Sequence, residues 1–292
     1  MKIALFGRNF NDSFNNVISG LFEKFRQNNV TVWAFEPFYQ YLQQEKRIPL
    51  DIDGSYTTHL ELPADTELMI SIGGDGTFLE AITIIRSSGI PIVGINSGRL
   101  GFLANISSIE VNRAFENLLH KNYSIEERSL VHLTSKEMLF NDFPYALNEF
   151  TLQKTGSSLI TIQVTINNEY MTAYWSDGLI IATPTGSTAY SLSLGGPIVT
   201  PDSKNFIITP IAAHNLNVRP LIIPDDATLK FTVSGRSDHF FATLDSRSAT
   251  FQMNNEVIIS KADFNVRIIR LPDIDFFTTL RNKLMWGADR RN

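Results

Sequence analysis

The stretch ELMISIGGDGTFLEA, residues 67–81, constrains this chain more than any other: an apolar run, three glycines around one aspartate, and a helix-like pattern behind them. Strand, turn and helix in direct succession form a βα unit, which asks for a parallel sheet covered by helices. The same alternation surrounds it. KIALF comes first, then a helical pattern through Phe14, Ile18, Leu21, Phe22 and Phe25, then VTVWAF and, further on, IPIVGIN. A helix over about Ile109 to Lys121, with Val111, Ala114, Phe115, Leu118 and Leu119 on one face, closes this part.

Beyond it the texture changes. LITIQVTI alternates before an Asn167-Asn168 turn, and ATLKFTV, HFFATL, EVIIS and FNVRIIRL follow at spacings typical of a β-sandwich. The final DFFTTLRNKLMW reads as helix again. With 292 residues, two domains are expected: an α/β domain over residues 1–124, doubly wound and Rossmann-like, and a β-sandwich-like domain over 125–270. A helix within 271–292 is expected to pack back on the first domain, and the site is expected in the cleft between the two.

Several function classes drop out on composition. At 43% hydrophobic and 19% charged the chain is globular. It has no cysteine, which excludes disulfides and thiolate chemistry and fits a cytoplasmic protein. MKIALFG stops at Arg8 and Asn9, short of a signal peptide, and no window has the length of a membrane span. A net charge of -5, with Arg290-Arg291 as the only basic cluster, argues against nucleic acid. The five histidines show no metal-ligand spacing.

An anionic ligand must then be held by backbone N–H groups and a few placed side chains. Thr77 and Glu80 have the spacing of a capping box, which makes Thr77 the expected N-cap and leaves Asp75 free of that duty. Asp75 is then either an ordinary turn residue or a functional carboxylate in a loop whose amides suit a phosphate at a helix N-terminus. The loop is neither a P-loop nor G-x-G-x-x-G. A second glycine cluster, NSGRLGFL from Asn96 to Leu103, follows IPIVGI, which places two such loops at the carboxyl ends of neighbouring strands, where open α/β sheets bind ligands.

GGDGT (Gly73 to Thr77), the Asn96–Leu103 segment, Asn148-Glu149, SDGLIIATPTGSTAYSLSLGGP (Ser176 to Pro197) and RPL (Arg219 to Leu221) together resemble the NAD kinase family. The glycine-aspartate loop alone is shared with lipid kinases and phosphofructokinases; the order of the later segments is far more specific. The resemblance implies phosphoryl transfer from ATP or polyphosphate, with Mg2+, to the adenosine-ribose 2′-hydroxyl of NAD. It implies Asp75 as base and the amides of Gly73, Gly74, Gly76 and Thr77 as donors to the transferred group. Asn148 is implied to contact adenine, Glu149 the ribose hydroxyls and Asp177 the nicotinamide half.

Thr188, Ala189, Tyr190 and Ser193 are implied as further contacts, although the run read by itself is a helix start capped by Ser187 or Thr188. Ala212 and Arg247 fall near further family contacts, and His214 lies beside the first. Trp175 stands where bacterial relatives commonly carry Arg, at a position linked to choosing oxidised over reduced dinucleotide; an indole there either stacks on nicotinamide or packs. Family members are homodimers or homotetramers. Two rivals remain: a lipid kinase, which leaves TPTGSTAYS unexplained, and a nucleotide-binding regulator without turnover.

Overall fold

In the computed structural model, residues 1–287 are described apart from 49, 141, 254, 255 and 273; the Arg290-Arg291 pair lies outside the described residues. The chain divides into two compact units, Met1–Glu127 with the residues from Val266 onward, and Arg128–Asn265.

The first unit alternates strand and helix: β1 (Lys2–Gly7), α1 (Asn15–Gln27), β2 (Thr31–Phe35), α2 (Glu36–Gln44), β3 (Gly54–Tyr56), β4 (Leu68–Gly73), α3 (Asp75–Ile85), β5 (Ile92–Asn96) and α4 (Val111–Leu119). The strands lie in the order β5-β4-β1-β2-β3, every pair parallel. All residues of β4 and β5 are buried, as expected when helices cover both faces of a parallel sheet. Helix α1 turns Ile18, Leu21, Phe22 and Phe25 inward, and α3 turns in Phe78, Ala81, Ile82 and Ile85. Gly73 is in register with Asn96, so the two glycine-rich loops leave adjacent strand ends side by side.

Three expectations need correction. Helix α3 begins at Asp75 with Gly74 as N-cap and no side-chain cap, so Thr77 and Glu80 form no capping box. Glu80 instead accepts from Arg8 Nε at 2.6 Å. Thr77 folds over Gly73, where an added Cβ would meet its Oγ1 at 2.3 Å. An acidic residue in the first turn is favoured by the helix dipole, and the early start uses it. EVIIS and FNVRIIRL are not two strands but one. Ser187 and Thr188 cap nothing: the short helix Tyr190–Ser193 has Ala189 as N-cap without a side-chain bond.

The second unit holds β6 (Ser124–Ser135), most of which lies in it, then β7 (Tyr145–Ala146), β8 (Glu149–Lys154), β9 (Ile160–Ile166), β10 (Glu169–Ser176), β11 (Gly178–Ala182), α5 (Tyr190–Ser193), β12 (Asn205–Ile211), β13 (Leu221–Pro224), β14 (Leu229–Ser234), β15 (His239–Leu244), β16 (Arg247–Gln252) and the start of β17 (Val257–Arg270). One antiparallel sheet runs β10-β9-β14-β17 and the other β13-β12-β11-β8-β15-β16. Both supply one core: Ile162, Val164, Phe231 and Ile259 from the first sheet, Phe150, Ile181, Phe206 and Phe240 from the second. The β9–β10 hairpin turns at Asn167 and Asn168, both with positive φ (50° and 68°), which asparagine tolerates and a tight hairpin requires.

The end of β17 belongs to the first unit and sets Ile268 parallel to Ile92 of β5. There α6 (Phe276–Leu284) follows, capped by Asp275, which accepts from the Thr278 N–H at 2.8 Å. Among the described residues no helix is long and apolar enough to cross a membrane.

Candidate active site

Candidate site residues gather in each of the two units. In the first, Asp75 at the start of α3 accepts three backbone N–H groups from the second glycine-rich loop. Leu103 and Ala104 donate to Oδ1 at 3.0 and 2.9 Å, and Phe102 donates to Oδ2 at 2.9 Å. The approach is so close that a Cβ at Gly101 would stand 1.9 Å from Oδ1. A carboxylate oxygen has about two acceptor positions, so Oδ1 is filled and Oδ2 keeps one open. Lys283 Nζ, from α6, lies 3.6 Å from that same Oδ2.

This arrangement answers the question raised by an aspartate in a glycine-rich loop at a helix N-terminus. Three donors disperse its charge, while the first-turn amides of α3, which have no partner within the helix, remain for a second anion. Asp75 is 30% exposed, open enough for a ligand to reach Oδ2.

In the second unit, Asn148 and Glu149 are both buried, held from two sides. Asp245 accepts the N–H groups of Leu147 at 2.9 Å, Asn148 at 2.8 Å and Glu149 at 3.3 Å. Across from it, Thr183 donates its N–H to the Asn148 carbonyl at 2.8 Å. A Cβ at Gly186 would come within 2.1 Å of that carbonyl oxygen, so this glycine is what admits the TPTGST segment against the dipeptide. Burial pushes Glu149 up to about 8, the neighbouring Asp245 carboxylate adds to the rise, and the Tyr190 N–H works against it. Burial also raises Asp245, opposed by its three amides and Arg247. Glu149 Oε2 is buried and finds no hydrogen-bond partner among the described residues. Such an atom is costly unless something supplies a partner.

The segment from Thr183 to Ser193 divides its hydroxyls by burial. Ser187 Oγ bonds the Val199 carbonyl at 3.2 Å and accepts its N–H at 3.1 Å, and Ser191 Oγ meets Thr209 Oγ1 at 2.8 Å. Those fix the loop. Thr188 and Ala189 are half-buried, and Tyr190 and Ser193 are exposed. Tyr190 accepts from Gln153 Nε2 at 3.3 Å.

Trp175, Asp177 and Ala212 form a further cluster. Asp177 donates its N–H to the Ile211 carbonyl at 2.9 Å, and His214 donates its own to the Trp175 carbonyl at 2.7 Å. Asn215 Oδ1 accepts the Trp175 N–H at 2.8 Å. Asp177 is paired with Lys154 at 2.5 Å, Ala212 has φ 45°, and the Trp175 indole is 59% exposed. Arg247 is engaged elsewhere: it donates to the carbonyls of Phe143 and Tyr145 and lies 5.2 Å over the Phe143 ring.

Sequence reasoning missed Asp245 and Lys283. The first reads as an ordinary hairpin aspartate and the second as a lysine complementing a helix C-terminus; no local signal distinguishes either. For a divalent metal, the described residues offer no group of three or more His, Cys, Asp or Glu side chains that could hold one, and three acceptor positions on Asp75 are taken. This donor set fits a magnesium ion carried on nucleotide phosphates, which keeps most of its ligands as phosphate and water oxygens and leaves the open position of Asp75 Oδ2 to another group.

The model of the ATP-NAD kinase N-terminal domain matches residues 20–123, and that of the ATP-NAD kinase C-terminal domain matches residues 147–271. An NAD kinase of Flavobacterium psychrophilum is 46% identical, with 100% of each chain covered. One of Bacteroides fragilis is 41% identical at the same coverage. Among solved structures, yeast NADH kinase complexed with NADH superposes with a TM-score of 0.84 at 22% identity, covering 99% of this chain and 89% of that one. An NAD kinase from Archaeoglobus fulgidus in complex with ATP gives 0.74 at 22% identity, covering 98% and 99%.

Proposed function

Since the chain belongs to the NAD kinase family, we propose that it transfers the γ-phosphoryl group of ATP to the adenosine-ribose 2′-hydroxyl of NAD, giving NADP and ADP. The observation that carries the chemistry is the Asp75 carboxylate, fixed by three amides at an anion-binding helix N-terminus with one acceptor position of Oδ2 open. As the 2′-oxygen bonds to phosphorus, its proton passes to Oδ2 and ADP leaves with the electrons of the broken P–O bond. A positioned base of this kind contributes about 10²–10⁴-fold. The free amides at the start of α3 meet the phosphoryl oxygens, which need donors already aimed at them. Magnesium, bound with the nucleotide, supplies charge neutralisation on the phosphates.

The groups of the second unit serve the dinucleotide. Asn148 takes the adenine edge. Glu149, mostly protonated near neutrality because burial raises it to about 8, can both donate to and accept from the ribose hydroxyls, and its unpartnered Oε2 gains a bond. Thr188, Ala189, Tyr190 and Ser193 line the dinucleotide, Asp177 and the Ala212 backbone serve the nicotinamide half, and the exposed Trp175 indole decides between oxidised and reduced rings. Arg247, held by the Phe143 and Tyr145 carbonyls, supports the wall. A cytoplasmic homodimer or homotetramer is part of the same reading, and light scattering of the purified chain measures the subunit number.

The test is direct: purified protein, magnesium, ATP and NAD, with coupled detection of NADP, and parallel reactions with polyphosphate and with NADH. NADP formation supports the reading. Tight NAD binding without product, or phosphorylation of lipid alone, overturns it.

A further inference from the structure

We propose that Lys283 is a catalytic residue of this reaction, its ammonium contacting the phosphoryl group as it moves onto the ribose. The inference rests on the kinase reading and starts from a charge problem in it. A base and an incoming phosphoryl group must meet at one hydroxyl oxygen, so a carboxylate and a phosphate approach within a few ångströms of each other. A cation standing beside both offsets the like charge that the three amides and a nucleotide-bound magnesium leave at that range.

Lys283 is placed for this. Its Nζ is 3.6 Å from Asp75 Oδ2, the oxygen with the open position. The ammonium sits 4.8 Å from the centre of the Phe102 ring, a cation–π contact, and Phe102 donates its own N–H to the same Oδ2 at 2.9 Å. The Phe102 ring also lies 6.2 Å from that of Phe276 on α6. Asp275 ties down the start of the helix through the Thr278 N–H at 2.8 Å and the Thr278 hydroxyl at 2.9 Å. One aromatic residue thus links carboxylate, ammonium and helix. At 34% exposure Lys283 remains open to a ligand, and an atom held at hydrogen-bond distance from Oδ2 brings its substituents within reach of Nζ.

The experiment compares the unsubstituted chain with Lys283→Met, Lys283→Arg and Lys283→Ala, reading kcat, KM for NAD, melting temperature, and recovery of Lys283→Ala by added methylammonium. The expected result is a fall in kcat of about 10²–10³-fold for Lys283→Met, the size of losing one transition-state donor, with KM for NAD within about threefold. Partial recovery in Lys283→Arg and amine rescue of Lys283→Ala go with it. A folded Lys283→Met with kcat near that of the unsubstituted chain overturns the proposal. So does a kcat loss that tracks melting temperature and is restored by neither arginine nor amine, the mark of a strut. Absence of NADP formation by the unsubstituted chain refutes the kinase reading itself, which separates the two failures.

Discussion

Replacing Asp75 by Asn separates its two duties, anchor and base. The asparagine carbonyl can take the place of Oδ1 and keep the N–H groups of Leu103 and Ala104, now held at 3.0 and 2.9 Å. Its amide nitrogen then faces the Phe102 N–H, where Oδ2 accepts at 2.9 Å, so one bond to a charged group becomes two opposed donors. Such a bond is worth about 1.5–3 kcal/mol, and the 30% exposure of Asp75 lets water relieve part of the loss. A cost of about 1–2 kcal/mol follows, which lowers the melting temperature by roughly 2–8 °C in a unit of this size. The chemical loss is separate: with no base on Oδ2, kcat falls by about 10²–10⁴-fold while KM for NAD changes little. Calorimetry and initial-rate kinetics on one preparation read both. A kcat within tenfold of the parent, accompanied by the expected melting shift, would show that Asp75 only anchors the loop and would refute the reasoning.

Gly101→Ala brings a Cβ to 1.9 Å from Asp75 Oδ1; the carboxylate must retreat by about 1.5 Å to reach ordinary contact, and a misplacement of that order costs about 10²-fold in kcat, read by initial rates. Asp245→Ala removes the acceptor from three buried amides, destabilises the second unit by about 1–3 kcal/mol for each unsatisfied group, and raises KM for NAD more than it lowers kcat; denaturant titration and kinetics measure the two. Glu149 holds its proton more tightly folded, at about 8, than at its ordinary 4.5, so its contribution to stability is complete below the lower value and lost as pH rises through the upper one. Glu149→Gln should therefore flatten the fall in melting temperature across that window, with the raised Asp245 leaving a residual slope in the same direction.

Fold class was legible because periodicity reports burial. ELMISI and IPIVGIN have the continuous apolar character of strands covered on both faces, and β4 and β5 are buried throughout. Asn167-Asn168 marked a hairpin through backbone conformation alone. What escaped was short or non-local. Helix α2 has nine residues with Pro37 in its first turn, and β3 has three, too few for periodicity to register. At Asp75 the capping-box spacing misled, because local pattern cannot show that a loop from another strand supplies the carboxylate with donors. Asp245 and Lys283 were invisible for the same reason: each meets residues far from it in sequence.

The measurement that tests the central claim most directly is a crystal structure of the chain with NAD, magnesium and a non-hydrolysable ATP analogue. The account predicts the ribose 2′-oxygen at about 2.6–3.2 Å from Asp75 Oδ2, with the amides of Phe102, Leu103 and Ala104 still donating to the carboxylate. A 2′-oxygen seated beyond hydrogen-bond reach of Oδ2, with another side chain or a water holding its proton, would contradict it.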